Sequence, residues 1–240
     1  MSDKTQKAGH FYGIGIGPGD PELITVKASR VLTEVPVVFL VPDRTAESSG
    51  YLHSIVADLI RSDQNVGELT FTNITDQGEL AHQYQKAADS IWSHLERGED
   101  CALVGLGDLL VYGPSAFVIE SLRREHPAVE MEVIPGISSI NAAAARALVP
   151  LALLDERIAI ITGRSDDDFI KETLHSFDTV VFMKVNRVFD RILGILEELN
   201  LVGQCVYIKR CTTRDEEIIT DVRKLRGQEL DHFSLLIVRK

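Results

Sequence analysis

The stretch Phe11-Tyr12-Gly13-Ile14-Gly15-Ile16-Gly17-Pro18-Gly19-Asp20-Pro21-Glu22-Leu23 decides how the chain is read. It has the pattern of a short apolar strand, a glycine-rich turn and the start of a helix. Glycine at positions 13, 15, 17 and 19 removes Cβ at alternate residues. Backbone can then approach a ligand closely and take positive φ where needed. Asp20 suits an N-cap and Pro21 the first helical position. Leu23, Val26, Ala28 and Leu32 give the helix an apolar side. The loop therefore sits at the carboxyl end of a first strand, where open α/β sheets bind ligands. The dinucleotide pattern G-x-G-x-x-G fails in either frame, because Pro18 or Asp20 stands where the third glycine belongs. A P-loop is excluded too, since no Lys and Ser/Thr follow the last glycine. A purely structural turn is the alternative at this point.

Outward from this stretch, strand and helix patterns alternate. Strands are expected at Phe11–Ile16, Val35–Val41, Leu69–Phe71, Ala102–Leu106 and Met131–Ile134. Helices are expected at Pro21–Leu32, Gly50–Arg61, Gly78–Arg97 and Ser115–Glu125. This alternation predicts a mostly parallel sheet with right-handed crossovers. An alanine-rich helix, Ile140–Leu148, follows Pro135–Ser139. Beyond it, strands are expected at Ile158–Ile161, Thr179–Met183, Gln204–Lys209, Glu216–Asp221 and Phe233–Val238, with helices at Asp167–His175 and Val188–Leu199. Short connections late in the chain predict antiparallel pairing there. The expected organisation is a tail over residues 1–9, an N-terminal α/β domain over 10–136 and a C-terminal α/β domain over 137–240. Asp43–Gly50 is polar and is read as a loop.

The 240 residues carry a formal net charge of −11. That argues against nucleic acid as a partner, since phosphate backbones need a basic face. No apolar run reaches the roughly 18 residues of a membrane span, and the first ten residues lack an apolar signal segment. Cys101, Cys205 and Cys211 are read as buried thiols of a cytoplasmic protein. No CxxC or HxxH spacing occurs, so no metal site is expected.

Three glycine-bearing loops each follow an apolar strand: Gly13–Pro21, Gly105–Gly113 and Pro135–Ser139. In a parallel sheet all three open onto one edge. The segments Pro18-Gly19-Asp20-Pro21-Glu22-Leu23-Ile24-Thr25, Gly107-Asp108-Leu109-Leu110-Val111-Tyr112-Gly113 and Val133-Ile134-Pro135-Gly136-Ile137-Ser138-Ser139 resemble, in order and spacing, those of the tetrapyrrole methyltransferases. The resemblance runs from about His10 to the end of the chain. Phe177-Asp178-Thr179-Val180-Val181-Phe182-Met183-Lys184-Val185 is similar to the segment of the precorrin-2 and cobalt-factor-II C20-methyltransferases. The chain departs from the family at Leu109, where proline is usual, and at Gly113-Pro114, where C20 enzymes usually have Ser-Thr.

The resemblance implies two α/β domains, the first with a five-stranded parallel sheet and the second with a mixed five-stranded sheet, and a cleft between them that holds S-adenosylmethionine. It implies methylation at C20 of precorrin-2 or cobalt-factor II in cobalamin biosynthesis, by a homodimer. The cofactor contacts so implied are Pro18, Gly105, Leu106, Gly107, Asp108, Val111, Ser138, Ser139, Met183, Lys184, Cys211 and Thr212. Catalytic candidates are Asp108, Tyr112 and Lys184. Asp108 balances charge near the sulfonium or stabilises a turn. Lys184 binds a substrate carboxylate or assists proton removal. A polycarboxylate tetrapyrrole needs local cations, for which Arg44, His53, Arg187, Arg191, Arg210 and Arg214 are candidates. The alternatives are a uroporphyrinogen-III or other precorrin methylase, an NAD-binding oxidoreductase with Asp43 as its acidic residue, and a non-catalytic binding module.

Overall fold

The structure is a computed structural model that describes residues 7–42, 46–72 and 76–240, with the side chains of residues 46–49 outside the description. The chain forms two compact units that divide between Ser138 and Ser139.

The first unit is built on strands β1 (Phe11–Gly15), β2 (Val37–Val41), β3 (Asn65–Glu68), β4 (Cys101–Gly105) and β5 (Met131–Ile134). All pairings are parallel, and the order across the sheet is β3-β2-β4-β1-β5. Strands β2 and β4 are buried along their whole length, as the unbroken Val37-Val38-Phe39-Leu40-Val41 run requires of an interior parallel strand. Alternate residues feed opposite faces. Val37, Phe39, Val41, Cys101 and Leu103 pack with α3 (Gln77–Leu95) and α4 (Ser115–Glu125). Val38, Leu40, Ala102 and Val104 pack with α1 (Val26–Glu34) and α2 (Ala46–Val56).

Three expectations need correction. The strand expected at Leu69–Phe71 lies at Asn65–Glu68. An edge strand need not be apolar, and Phe71 is buried instead as a loop residue against Tyr84, with ring centroids 5.1 Å apart. The helix expected over Pro21–Leu32 is split in two. Asp20 caps only a single 3₁₀ turn, Pro21–Leu23, accepting from the Glu22 N–H at 2.9 Å. Ile24 is extended, and a second cap, Thr25, accepts from Ala28 and starts α1. Val26 is consequently 88% exposed rather than apolar-side core. Finally, Ala46–Gly50 belongs to α2 rather than to a loop. Asp43 and Arg44 lie outside the described residues, as do the first six residues of the expected tail. Gly9 already donates to the Leu95 carbonyl at 2.8 Å.

The second unit carries α5 (Ser139–Ala147), β6 (Ile158–Thr162), α6 (Asp167–Ser176), β7 (Thr179–Met183), α7 (Phe189–Glu198), β8 (Cys205–Lys209), β9 (Glu217–Ile219) and β10 (Ser234–Arg239). The sheet order is β6-β7-β10-β8-β9. Only β6 and β7 are parallel, so the sheet is mixed. One face, including Ala159, Ile161, Val180, Phe182, Tyr207 and Leu236, is buried under α6 and α7. On the other face α5 packs against β8 and β10. Among the described residues no helix is long and apolar enough to cross a membrane.

Gln64 shows how polar groups are buried in the first unit. Its Nε2 donates to the carbonyls of Leu32 (2.7 Å) and Val35 (2.6 Å), and its Oε1 accepts from the Arg61 N–H at 2.6 Å. Leu32 and Val35 lie at the C-terminal end of α1, where helix carbonyls lack partners. Gln64→Ala removes these bonds at a site only 9% exposed. The expected cost is about 2–3 kcal/mol, read as a lowered midpoint in urea or thermal unfolding.

Candidate functional site

The helices after β1 and β4 lie on opposite faces of the first sheet, since Ala28 of α1 and Val118 of α4 belong to different cores. The chain leaving these neighbouring strands therefore diverges, which is the arrangement that opens a ligand crevice at strand carboxyl ends. The β5 loop flanks β1 on its other side.

The three loops interlock through backbone. Ile16 donates to the Gly105 carbonyl, and Gly17 and Gly107 exchange N–H···O bonds of 3.2 and 2.7 Å. A Cβ on Gly15 would lie 2.6 Å from the Gly107 oxygen and 2.7 Å from the Gly136 nitrogen. A Cβ on Gly136 would lie 2.1 Å from that same oxygen. The space these two glycines leave is thus filled by neighbouring loops rather than by a ligand. Positive φ is used at Gly17 (+82°) and Gly19 (+150°).

Asp108 fastens the arrangement. Its Oδ1 accepts from Leu110 N–H at 3.0 Å, an Asx turn, and its Oδ2 accepts from Gly136 N–H at 3.2 Å. Leu109, at the position of the family's proline, is 1% exposed and fills the space under Gly13 and Gly105. Its departure from the pattern thus falls on the core side of the loop. Leu106 packs partly against the α1–α2 core, and Val111 donates to the Asp108 carbonyl. Tyr112 is 44% exposed with φ +52°. The Tyr51 hydroxyl lies 3.5 Å from the Pro18 carbonyl. Ser138 ends the β5 loop and Ser139 opens α5. The loops contain Asp20 and Asp108 and no Lys or Arg. That donor set suits a cationic ligand and opposes a phosphate.

In the second unit the remaining predicted residues lie at strand carboxyl ends. Met183 ends β7, paired with Leu235 of β10, and Ile208 of β8 pairs with the same residue. Lys184 follows β7 and Arg210 follows β8. Both take left-handed φ, +57° and +44°, as does Thr212 at +68°. Such conformations cost of order 1–3 kcal/mol each in a non-glycine residue and concentrate at functional sites. Cys211 is buried, and burial pushes its thiol up to about 11. Burial likewise pushes Cys101 and Cys205 up to about 12. All three stay protonated and unreactive near neutrality.

The predicted cations divide. Arg191 donates to the Gly163 and Ser165 carbonyls and pairs with Asp167 at 2.5 Å, so it closes the loop after β6. Arg210 pairs with Asp231 at 2.6 Å. His53 pairs with Glu68 at 2.8 Å. Arg187 and Arg214 are exposed, and no ion pair holds either among the described residues. Sequence reasoning missed Glu216 and Arg146. Glu216 accepts from Thr212 N–H at 2.6 Å and binds Arg146 in bidentate fashion at 2.7–2.9 Å. The Arg146 bond, and secondarily the Thr212 N–H, hold the Glu216 carboxyl below its usual range against the opposing effect of burial. Among the described residues no cluster of His, Cys, Asp and Glu could hold a metal ion.

Comparison with known proteins defines the class. Residues 10–225 match the tetrapyrrole (corrin/porphyrin) methylases, and the chain belongs to that family. It is 30% identical over 88% of its length to the cobalamin biosynthesis protein CobIJ of Mycobacterium tuberculosis, of which it spans 42%. It is 28% identical to the cobalt-precorrin-2 C(20)-methyltransferase of Salmonella typhimurium, over 97% of both proteins. The uroporphyrin-III C-methyl transferase of Thermus thermophilus, solved with S-adenyl homocysteine, shares the fold with a TM-score of 0.69 at 21% identity, over 97% of this chain and 98% of that one.

The loop interlock is testable with two glycines. Gly136→Ala must force backbone apart and is expected to cost at least 2 kcal/mol. At Gly113 the nearest atom to a new Cβ is 3.9 Å away, so Gly113→Ala is expected to stay within about 0.5 kcal/mol of the parent. Chemical denaturation of both variants checks the contrast.

Proposed function

We propose that the protein is an S-adenosylmethionine-dependent C-methyltransferase that methylates C20 of precorrin-2 or cobalt-factor II in cobalamin biosynthesis. The end-to-end match with the Salmonella enzyme of that name carries the reading. The cation-free, carboxylate-bearing loops of the first unit support the cofactor. S-adenosylmethionine supplies an electrophilic methyl group on a sulfonium, so neither a metal nor a covalent nucleophile is needed. The protein's part is positioning and exclusion of water, which together can lower such a barrier by about 7–11 kcal/mol.

On this reading Pro18, Gly105, Leu106, Gly107 and Val111 offer backbone to the cofactor, as do Ser138, Ser139, Met183, Cys211 and Thr212. Asp108 keeps its loop closed and adds negative charge beside the sulfonium. Tyr112, exposed on a strained turn, faces the substrate. Lys184, held at left-handed φ at the end of β7, binds a substrate carboxylate or assists loss of the proton from the methylated carbon. Arg187 and Arg214 are the cations open to a polycarboxylate. The working form is a cytoplasmic homodimer. Its contact surface includes Leu148 and Ile158 of the second unit, which line one open depression, with Leu148 89% exposed.

Isothermal titration separates this reading from the oxidoreductase alternative. S-adenosylhomocysteine is expected to bind with micromolar affinity and NAD not at all; a protein blind to S-adenosylhomocysteine sinks the assignment. Lys184→Ala is expected to retain cofactor affinity while methyl transfer to precorrin-2, followed with a labelled methyl group, falls at least tenfold. Full turnover in that variant removes Lys184 from the mechanism.

A further inference from the structure

The turn Arg210–Glu216 after β8 places two non-glycine residues, Arg210 and Thr212, at left-handed φ. Thr212 is β-branched, for which this conformation is a genuine outlier. Strain of this kind persists only where the surroundings over-determine it. Here each strained residue is held by its own acid. Asp231 takes the Arg210 Nε at 2.6 Å and, through its other oxygen, the Phe233 N–H at 2.7 Å, while Arg210 N–H donates to the Phe233 carbonyl. Glu216 takes the Thr212 N–H at 2.6 Å. The Glu216 side chain is 11% exposed, and Arg146 of α5 grips both its oxygens. Inside the turn, Thr213 donates to the Arg210 carbonyl through both its N–H and its hydroxyl, and Asp215 N–H donates to the Thr213 hydroxyl. The result links the helix that opens the second unit to the main chain at Cys211-Thr212. Cys211 Sγ also lies 3.8 Å from the Ser139 carbonyl at the start of that helix.

We infer that Glu216, oriented by Arg146, is a positioning residue that holds the Cys211-Thr212 main chain in its ligand-binding conformation. The inference rests on the reading of Cys211 and Thr212 as cofactor contacts. Hydrogen bonds to a charged acceptor are the stronger kind, and the bidentate arginine leaves the carboxylate one orientation. A cofactor meeting a turn already held in place does not have to order it on binding.

Three variants of the full-length protein test this: Glu216→Ala, Glu216→Gln and Arg146→Ala. Titration with S-adenosylhomocysteine is expected to show about tenfold weaker binding for E216A. E216Q keeps an oxygen that can accept from Thr212 and recovers most of that loss. R146A, which removes a half-exposed side chain and leaves the fold intact, weakens binding about threefold. In steady-state assays E216A raises KM for S-adenosylmethionine while kcat stays within twofold. Amide exchange at Thr212, measured without ligand, speeds up in E216A and not in E216Q. If E216A proves unfolded, R146A decides, and parental affinity in R146A overturns the inference. A folded E216A that binds as the parent does also overturns it, as does equal loss in E216A and E216Q. A parent protein that itself fails to bind S-adenosylhomocysteine overturns the cofactor reading and this inference with it.

Discussion

The first unit depends on a contact too close for any side chain: the meeting of three loop backbones at Gly15, Gly107 and Gly136. In a parallel sheet neighbouring strands are about 4.8 Å apart, and their loops would ordinarily splay once the ladder ends. Here the ladder is prolonged beyond the strands by the Gly17–Gly107 exchange and by Asp108 reaching to Gly136. The loops become one continuous surface of peptide groups at the sheet's carboxyl edge. Because α1 and α4 then leave on opposite faces, that surface stays uncovered by its own helices. Glycine at these positions is a condition for assembling the surface, and ligand approach is a consequence.

The second unit reaches a comparable end by different means. Its strand-end turns contain Lys184, Arg210 and Thr212 at left-handed φ, where glycine would be the unstrained choice. Side chains at these positions are retained, and the turn at Arg210 and Thr212 is held by carboxylates. Asp231 and Glu216 each bind a main-chain N–H and a guanidinium at once. Half-buried carboxylates of this kind are tolerable because their oxygens are filled by these donors.

Much of this was legible in the residue order. Among the described residues the alternation of apolar runs locates nine of the ten strands, and the three glycine loops lie where the pattern places them. The failure at β3 has a plain cause. Asn65-Val66-Gly67-Glu68 is an edge strand with only one neighbour and little burial, so it carries no apolar signature, whereas Leu69 and Phe71 are apolar because they close a core from a loop. The split of the helix after Asp20 was hidden because Asp20-Pro21 and Thr25 are both sound starting signals, and only the extended Ile24 between them decides that each is used. Glu216 and Arg146 were invisible for another reason. They are seventy residues apart, and nothing in either neighbourhood announces a partner.

A chain of net charge −11 offers an anion no favourable overall field, so any attraction for one must come from local cations. Arg210 follows β8 and Arg191 of α7 reaches the loop after β6, yet their guanidinium groups are occupied with carbonyls and carboxylates there. They shape the backbone of these loops. Arg187, three residues beyond Lys184, and Arg214, in the turn that Glu216 holds, are exposed and carry no ion pair among the described residues. The two pairs separate by burial. Half-buried Arg191 and Arg210 build loops, and Arg187 and Arg214 stay exposed.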